Sequence, residues 1–344
     1  MLEHILKEAV RQNASDVHIK AGGVPVFRIN GVLSRQNLTA VSENAITSFI
    51  EQYGTCAVNE SEADFCCRIN CAGSFRVHGY LQNGFPALAV RIIKSAVPSL
   101  SDLNAPPVLE KLAMQRSGLI LVTGPAGSGK STTMAAMVDF INRNKSEHIV
   151  TLEDPPEYRF TEDKSIISQR QVGSDTASFA LGLRAALRQD PDVIMIGELR
   201  DAQTAAGAVS AAETGHLVLA TLHTRSAVLA VSRMLDFFAP EKQQQMRAQL
   251  AENLQAVIAQ QLVPGCHGGR TAAFEVLTFT QAVRSLLRDG KAYQLVSYMQ
   301  SGRQQGMQCM DYALAYLAKT GAITKQTAQE YAFDIDLLNK YLLQ

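Results

Sequence analysis

The sequence predicts an α/β protein: a parallel sheet wrapped by helices, preceded by a smaller mixed α/β domain and followed by a helical segment. Three observations lead there. Short apolar runs alternate with helical periodicity between Leu119 and about residue 238, a glycine-rich octet joins the first of those runs to its helix, and past about residue 279 the pattern is helical only. With 344 residues and 47% hydrophobic content, the chain has material for the cores of about two or three domains.

Taken in order, Met1–Val10 reads as an amphipathic helix rather than a secretion signal. Alternating segments such as Val26–Ile29 and Phe75–Tyr80, with a helix near 41–53, make residues 1–97 a small α/β domain. A stretch rich in Ser and Pro, Ser95–Pro107, breaks the periodicity and places a linker at 98–107. Residues 108–278 then supply strands at Leu119–Thr123, His148–Glu153, Val193–Ile196 and His216–His223, separated by helices at 130–142, 176–189, 203–213 and 226–238. Alternation of this kind makes a parallel sheet, whose functional groups collect at the carboxyl ends of the strands. Residues 279–344 carry helices at Thr280–Leu287, Tyr293–Gln300, Met310–Leu317 and Lys325–Leu338.

The bulk composition narrows the partners. The 32 basic residues balance 32 acidic ones, which argues against nucleic acid or an anionic membrane as the main partner. No apolar run approaches the roughly 18 residues of a membrane span, so the chain is expected in the cytoplasm. The cysteines at 56, 66, 67, 71, 266 and 309 form no C-x-x-C pair and read as free thiols.

The octet Gly124, Pro125, Ala126, Gly127, Ser128, Gly129, Lys130, Ser131 fits G-x-x-x-x-G-K-[ST] at every fixed position, and Thr132 continues into the helix. In such a loop, backbone N–H groups face the phosphates of a nucleoside triphosphate, Lys130 reaches the β and γ oxygens, and the Ser131 hydroxyl binds Mg²⁺. ATP and Mg²⁺ are therefore the expected ligands. The competing reading is a merely tight strand-to-helix turn.

Three further segments put acids or histidines at strand ends. Glu153 and Asp154, ahead of Pro155 and Pro156, are placed to polarise a water or to hold Mg²⁺ through one. Glu198, just past the apolar strand Val193–Ile196, is the leading candidate for orienting the attacking water or, through water, the metal. His216 and His223 bracket a strand and stand roughly 23 Å apart, too far to share a metal. His223, at the carboxyl end, is placed to sense the γ-phosphate, whereas His216 has a structural or interdomain reading. Arg76 and Arg91 are candidate charge stabilisers for phosphoryl transfer on residue type alone, and exposed edge-strand arginines fit them equally well.

With these segments in this order, the chain resembles the secretion-type ATPases that power type IV pili, the PilT-like retraction motors in particular, nearly end to end. The octet matches that family's Walker A loop, Thr151–Pro155 its Asp box, Asp192–Glu198 its Walker B box and Thr214–His223 its His box. Ser15–Ile19 resembles the opening of the family's PAS-like N-terminal domain, and Ala282–Asp289 its C-terminal A-I-R-N-L-I-R-E box. The resemblance implies a RecA-like domain in a hexameric ring, with ATP held between it and the N-terminal domain. It further implies an inner-membrane platform protein turned from the cytoplasmic face, a partner extension ATPase, and pilin subunits extracted into the membrane. Ala126 stands where the family has Thr. Ser74 and Gly84-Phe85 replace family arginines, leaving Arg76 and Arg91 as the matches, and Ser285 and Asp289 replace Asn and Glu. Pilus-extension and type II secretion motors share the core and are the nearest alternatives. A nucleic-acid translocase or a nucleotide-binding regulatory subunit without turnover is a more distant one.

Overall fold

The computed structural model describes residues 1–29, 31–54, 62–70, 72–93, 96–266 and 268–343. Cys56, Cys71 and Ser95 lie outside these. By contact the chain divides into two compact units, Met1–Ala96 with Glu157–Arg159, and Val97–Pro156 with Phe160–Gln344.

The first unit opens with α1 (Leu2–Arg11), continues through β1 (Asp16–Lys20), β2 (Val26–Ile29), β3 (Val32–Arg35) and α2 (Glu43–Tyr53), and ends in β4 (Glu62–Ile69), β5 (Gly73–Gln82) and β6 (Phe85–Ile93). The strands pair antiparallel in the order β3-β2-β1-β6-β5-β4. Alternate residues of this sheet, among them Val17, Ile19, Phe75, Val77, Leu88 and Val90, join Leu6, Ile46 and Phe49 in one core. The intervening positions leave Arg76 and Arg91 exposed, directly opposite each other across β5 and β6.

The second unit begins with α3 (Val108–Ala113), β7 (Gly118–Thr123), α4 (Lys130–Asn144), β8 (His148–Glu153), β9 (Ile166–Gln171), α5 (Phe179–Ala186), β10 (Val193–Ile196), α6 (Ala202–Glu213) and β11 (Leu217–Leu222). It goes on through α7 (Ala227–Asp236), α8 (Pro240–Asn253), β12 (Leu254–Pro264) and β13 (Arg270–Thr278). Helices α9 (Gln281–Arg288), α10 (Leu295–Ser301), α11 (Met310–Lys319), α12 (Lys325–Tyr331) and α13 (Ile335–Leu343) complete it. Its sheet runs β13-β12-β7-β11-β10-β8-β9, parallel except for the antiparallel β12–β13 pair.

Every residue of β7, β10 and β11 is buried, because helices cover both faces of the sheet. Leu119, Leu121, Ile194, Ile196, Val218 and Ala220 face one core, and Ile120, Val122, Val193, Met195, Leu217 and Leu219 face the other. Ser178, Asp201, Ser226, Thr280 and Thr324 start their helices by accepting the backbone N–H of the third helical residue, each such cap stabilising by about 1 kcal/mol.

One acid lies inside this core: Glu275 on β13 is 3% exposed, and burial pushes its carboxyl from 4.5 up to about 7. The folded chain therefore keeps a proton that the unfolded chain has released between those two values. Its contribution to stability is fully present below about 4.5 and lost as the pH rises through about 7, a change of about 3 kcal/mol. Urea unfolding at pH 5 and at pH 8 is expected to show the wild type losing more stability over that interval than Glu275→Gln; equal losses would contradict the burial effect.

Candidate functional site

The site is assembled at the carboxyl ends of β7, β8, β10 and β11. Strand β7 ends at Thr123, and the chain turns through Gly124–Gly129 into α4, whose first residue is Lys130. The turn depends on glycine. Gly124 has φ +151° and a Cβ there would collide with the Gln260 carbonyl and Ser128, while Gly129 has φ +90° and would press a Cβ against the Gln260 side chain at 2.8 Å. With Gly129 as its N-cap, α4 has no capping side chain, and its N-terminal amides carry the positive end of the helix dipole. Ser128 Oγ is buried in the loop with no hydrogen-bond partner among the described residues, so the cradle retains an unused donor. A tight glycine turn, a spare hydroxyl and a helix N-terminus together fit a phosphate chain.

Lys130 is 8% exposed and is held above the loop. Its Nζ donates to the carbonyls of Gly124 and Pro125 at 2.9 and 3.0 Å and approaches His223 Nδ1 at 3.5 Å. On the far side of the same ring, His223 Nε2 lies 3.0 Å from Glu198 Oε1. An ammonium only donates and an ionised carboxylate only accepts, so Nδ1 faces a donor and Nε2 an acceptor. The imidazole thereby links the loop lysine to the strand-end glutamate.

Local packing brings these strand ends together. Gly197 N–H donates to the Leu152 carbonyl at 2.7 Å, and a Cβ on Gly197 would sit 3.4 Å from the Glu153 Cα, so Glu153 and Glu198 leave neighbouring strands side by side. Glu153 is 7% exposed and its Oε1 accepts from Thr151 Oγ1 at 2.8 Å and Gln169 Nε2 at 3.1 Å. Leu199 N–H reaches the Thr221 carbonyl at 3.0 Å, and Thr221 Oγ1 donates to the Gly197 carbonyl. Thr123 and Thr224 clasp each other, with Thr224 N–H on Thr123 Oγ1 at 2.9 Å and the hydroxyls 2.8 Å apart.

Arg200 was missed by the sequence reading. Its Nε donates to Glu198 Oε2 at 2.8 Å and its Nη1 to Asp154 Oδ2 at 3.2 Å, with the guanidinium 5.9 Å from the Phe179 ring centroid. Hydrogen bonding to Glu198 raises the guanidinium above its already high ordinary value. The only clue in the sequence is an arginine two residues past Glu198.

His216 does not reach the site; its Nδ1 lies 2.9 Å from the Ala211 carbonyl and 3.2 Å from Thr214 Oγ1, tying the end of α6 to the start of β11. In the first unit Arg91 Nε donates to Asp16 Oδ1 at 2.9 Å. The C-terminal box is also turned inward in part: Arg284 donates to the carbonyls of Ala251 and Glu252 and caps the end of α8, while Arg288 pairs with Glu252 at 2.7 Å. Among the described residues, Cys67, Cys266 and Cys309 are free thiols.

The profile of the type II/IV secretion system protein family matches residues 1–328. The chain belongs to that family. Among its relatives, the type IV pilus retraction ATPase PilT of Pseudomonas aeruginosa is 39% identical over 336 residues, covering 96% of this chain and 98% of that protein. A twitching motility protein of Neisseria gonorrhoeae is 42% identical over 314 residues, covering 90% and 84%. A crystal structure of the pilus retraction motor PilT with bound ADP superposes with a TM-score of 0.88 at 41% identity, covering 98% and 99% of the two chains. For this member of the secretion system family, no helix among the described residues is long and apolar enough to cross a membrane.

Proposed function

We propose that this chain is an Mg²⁺-dependent ATPase that drives type IV pilus retraction as a hexameric ring, acting on a platform protein at the cytoplasmic face of the inner membrane. The observation that carries the hydrolytic part is the Lys130–His223–Glu198 chain beside a phosphate loop. The pilus assignment is supported by end-to-end similarity to relatives named for pilus retraction and twitching motility, and to a solved pilus retraction motor that holds ADP.

In this reading, the loop amides of Gly127–Thr132 and Lys130 Nζ bind the β and γ phosphates, with Pro125 and Ala126 shaping the loop. The Ser131 hydroxyl would hold Mg²⁺, with Glu153 and Glu198 assisting through water, and the bound ion would supply positive charge to the phosphate oxygens. Glu198 orients the water in line with the γ-phosphorus; the bond from γ-phosphorus to the bridging oxygen breaks, and the water proton leaves toward the Glu198 carboxylate. His223 reports to Glu198 whether Lys130 has turned from the loop carbonyls to phosphate, since one ring touches both. Arg76 and Arg91, exposed on one sheet face, are the side chains that a neighbouring subunit would bring to the leaving charge. Purified full-length protein is expected to release phosphate from ATP with Mg²⁺ present and to lose that activity in excess chelator. ATP bound without turnover at concentrations where rings form would instead favour a regulatory subunit.

A further inference from the structure

Glu275 occupies the middle of β13, opposite Ala259 of β12, and takes no part in the chemistry above. Its two oxygens serve two different helices. Oε1 accepts the Ala227 N–H at 2.7 Å and Oε2 the Met310 N–H at 3.3 Å. Ala227 is the first residue of α7 and Met310 the first of α11, so one buried carboxylate sits at the positive ends of both. At α11 it supplies what the local sequence lacks, because the N-cap Cys309 makes no side-chain capping bond. At α7, Ser226 already caps Leu229 N–H, and Glu275 adds a second fixed point one residue from that cap.

Directly before α7 lie His223, which touches Lys130 and Glu198, and Thr224, which clasps Thr123 at the entrance to the phosphate loop. On the other side, Gln308 exchanges backbone hydrogen bonds with Val276 at 2.8 and 3.0 Å, and its side-chain amide donates to the Phe274 carbonyl at 2.8 Å. The segment entering α11 is thus stitched to β13 on both sides of Glu275. Burial of this acid is costly, and Asp311 nearby adds to the cost while the two N–H bonds offset it. An apolar residue would fill the position more cheaply but would leave two helix amides without an acceptor.

We propose that Glu275 is a positioning residue for the hydrolysis reaction, holding the first turns of α7 and α11 on one carboxylate so that the His223 loop stays registered against the phosphate loop. This rests on the hydrolytic reading above. The C-terminal helices are then joined to the nucleotide site by the hydrogen bonds of Met310 and Ala227 to Glu275, and from Ala227 by the short run of chain back to His223.

The test is Glu275→Gln in the full-length chain. A Gln of the same shape accepts from one amide and turns its own NH₂ toward the other. Because the phosphate contacts belong to α4, KM for ATP is expected to stay within about twofold while kcat falls about tenfold or more, with the native circular dichroism spectrum retained. A folded variant with wild-type kcat, or one in which kcat is kept and only KM rises, overturns the proposal. Hydrogen exchange of the wild-type protein gives a second readout that needs no variant. The Ala227 amide, at a helix position whose N–H has no partner within its helix, is expected to be protected, and free exchange there also overturns it. If wild type turns over no ATP, the hydrolytic reading fails; if wild type is active and these two results go the other way, only the role of Glu275 fails.

Discussion

Replacing Lys130 by Ala is expected to reduce ATP turnover by about a hundredfold or more, the scale seen when one preorganised donor to a reacting anion is removed. The reason is geometric. Lys130 is 8% exposed, and its ammonium rests on the Gly124 and Pro125 carbonyls and against His223. Alanine removes the one mobile cation that the loop presents and cuts the contact by which His223 registers the loop's state. ATP binding is expected to weaken along with turnover, so both kcat and KM should move. Steady-state phosphate release with isothermal titration of ATP checks both, and wild-type turnover in a folded variant would contradict the assignment of the loop.

The second large effect is expected at Glu198. Glu198→Gln preserves volume and can still accept from His223 Nε2, but loses the charge that Arg200 pairs with and the basicity that orients a water. A fall in kcat of about 10²- to 10⁴-fold is expected, with ATP affinity largely retained because the loop amides and Lys130, which bind the phosphates in this reading, are unchanged. The contrast between the two variants is itself informative: Lys130→Ala should lose binding and turnover, Glu198→Gln turnover alone. Single-turnover measurements on pre-bound ATP separate them, and an unchanged hydrolysis rate in Glu198→Gln would transfer the water-orienting role elsewhere, with Glu153 next in line.

The parallel sheet was legible because β7, β10 and β11 are buried on both faces and read as unbroken apolar runs. Other elements were hidden for physical reasons. Helix α8 buries only Met246, Leu250 and Ala251, too few positions to show a period in Pro240–Asn253. Strand β9 is an edge strand with no fully buried position, and β13 carries Glu275 in the core, so neither alternates cleanly. The expected helix over Lys325–Leu338 is two, α12 and α13, parted where Asp311 accepts the N–H groups of Phe333 at 2.7 Å and Asp334 at 3.2 Å. That contact spans distant parts of the chain, and no local pattern announces it.

For the site, residue types and strand ends pointed to Lys130, Glu198 and His223 before any contact was known. What the sequence could not carry is the order of contact. One imidazole joins Lys130 to Glu198, Arg200 closes Glu198 onto Asp154, and Glu275 reaches both α7 and α11. The C-terminal box shows the same limit, since its Arg284 caps α8 from inside the unit.

The most direct test of a retraction motor is fluorescence imaging of labelled pili in cells lacking this protein, complemented with wild type or with Lys130→Ala. Long pili that extend and fail to retract, corrected by wild type and not by the variant, are the expected result; cells without pili, or with retraction unchanged, would contradict it.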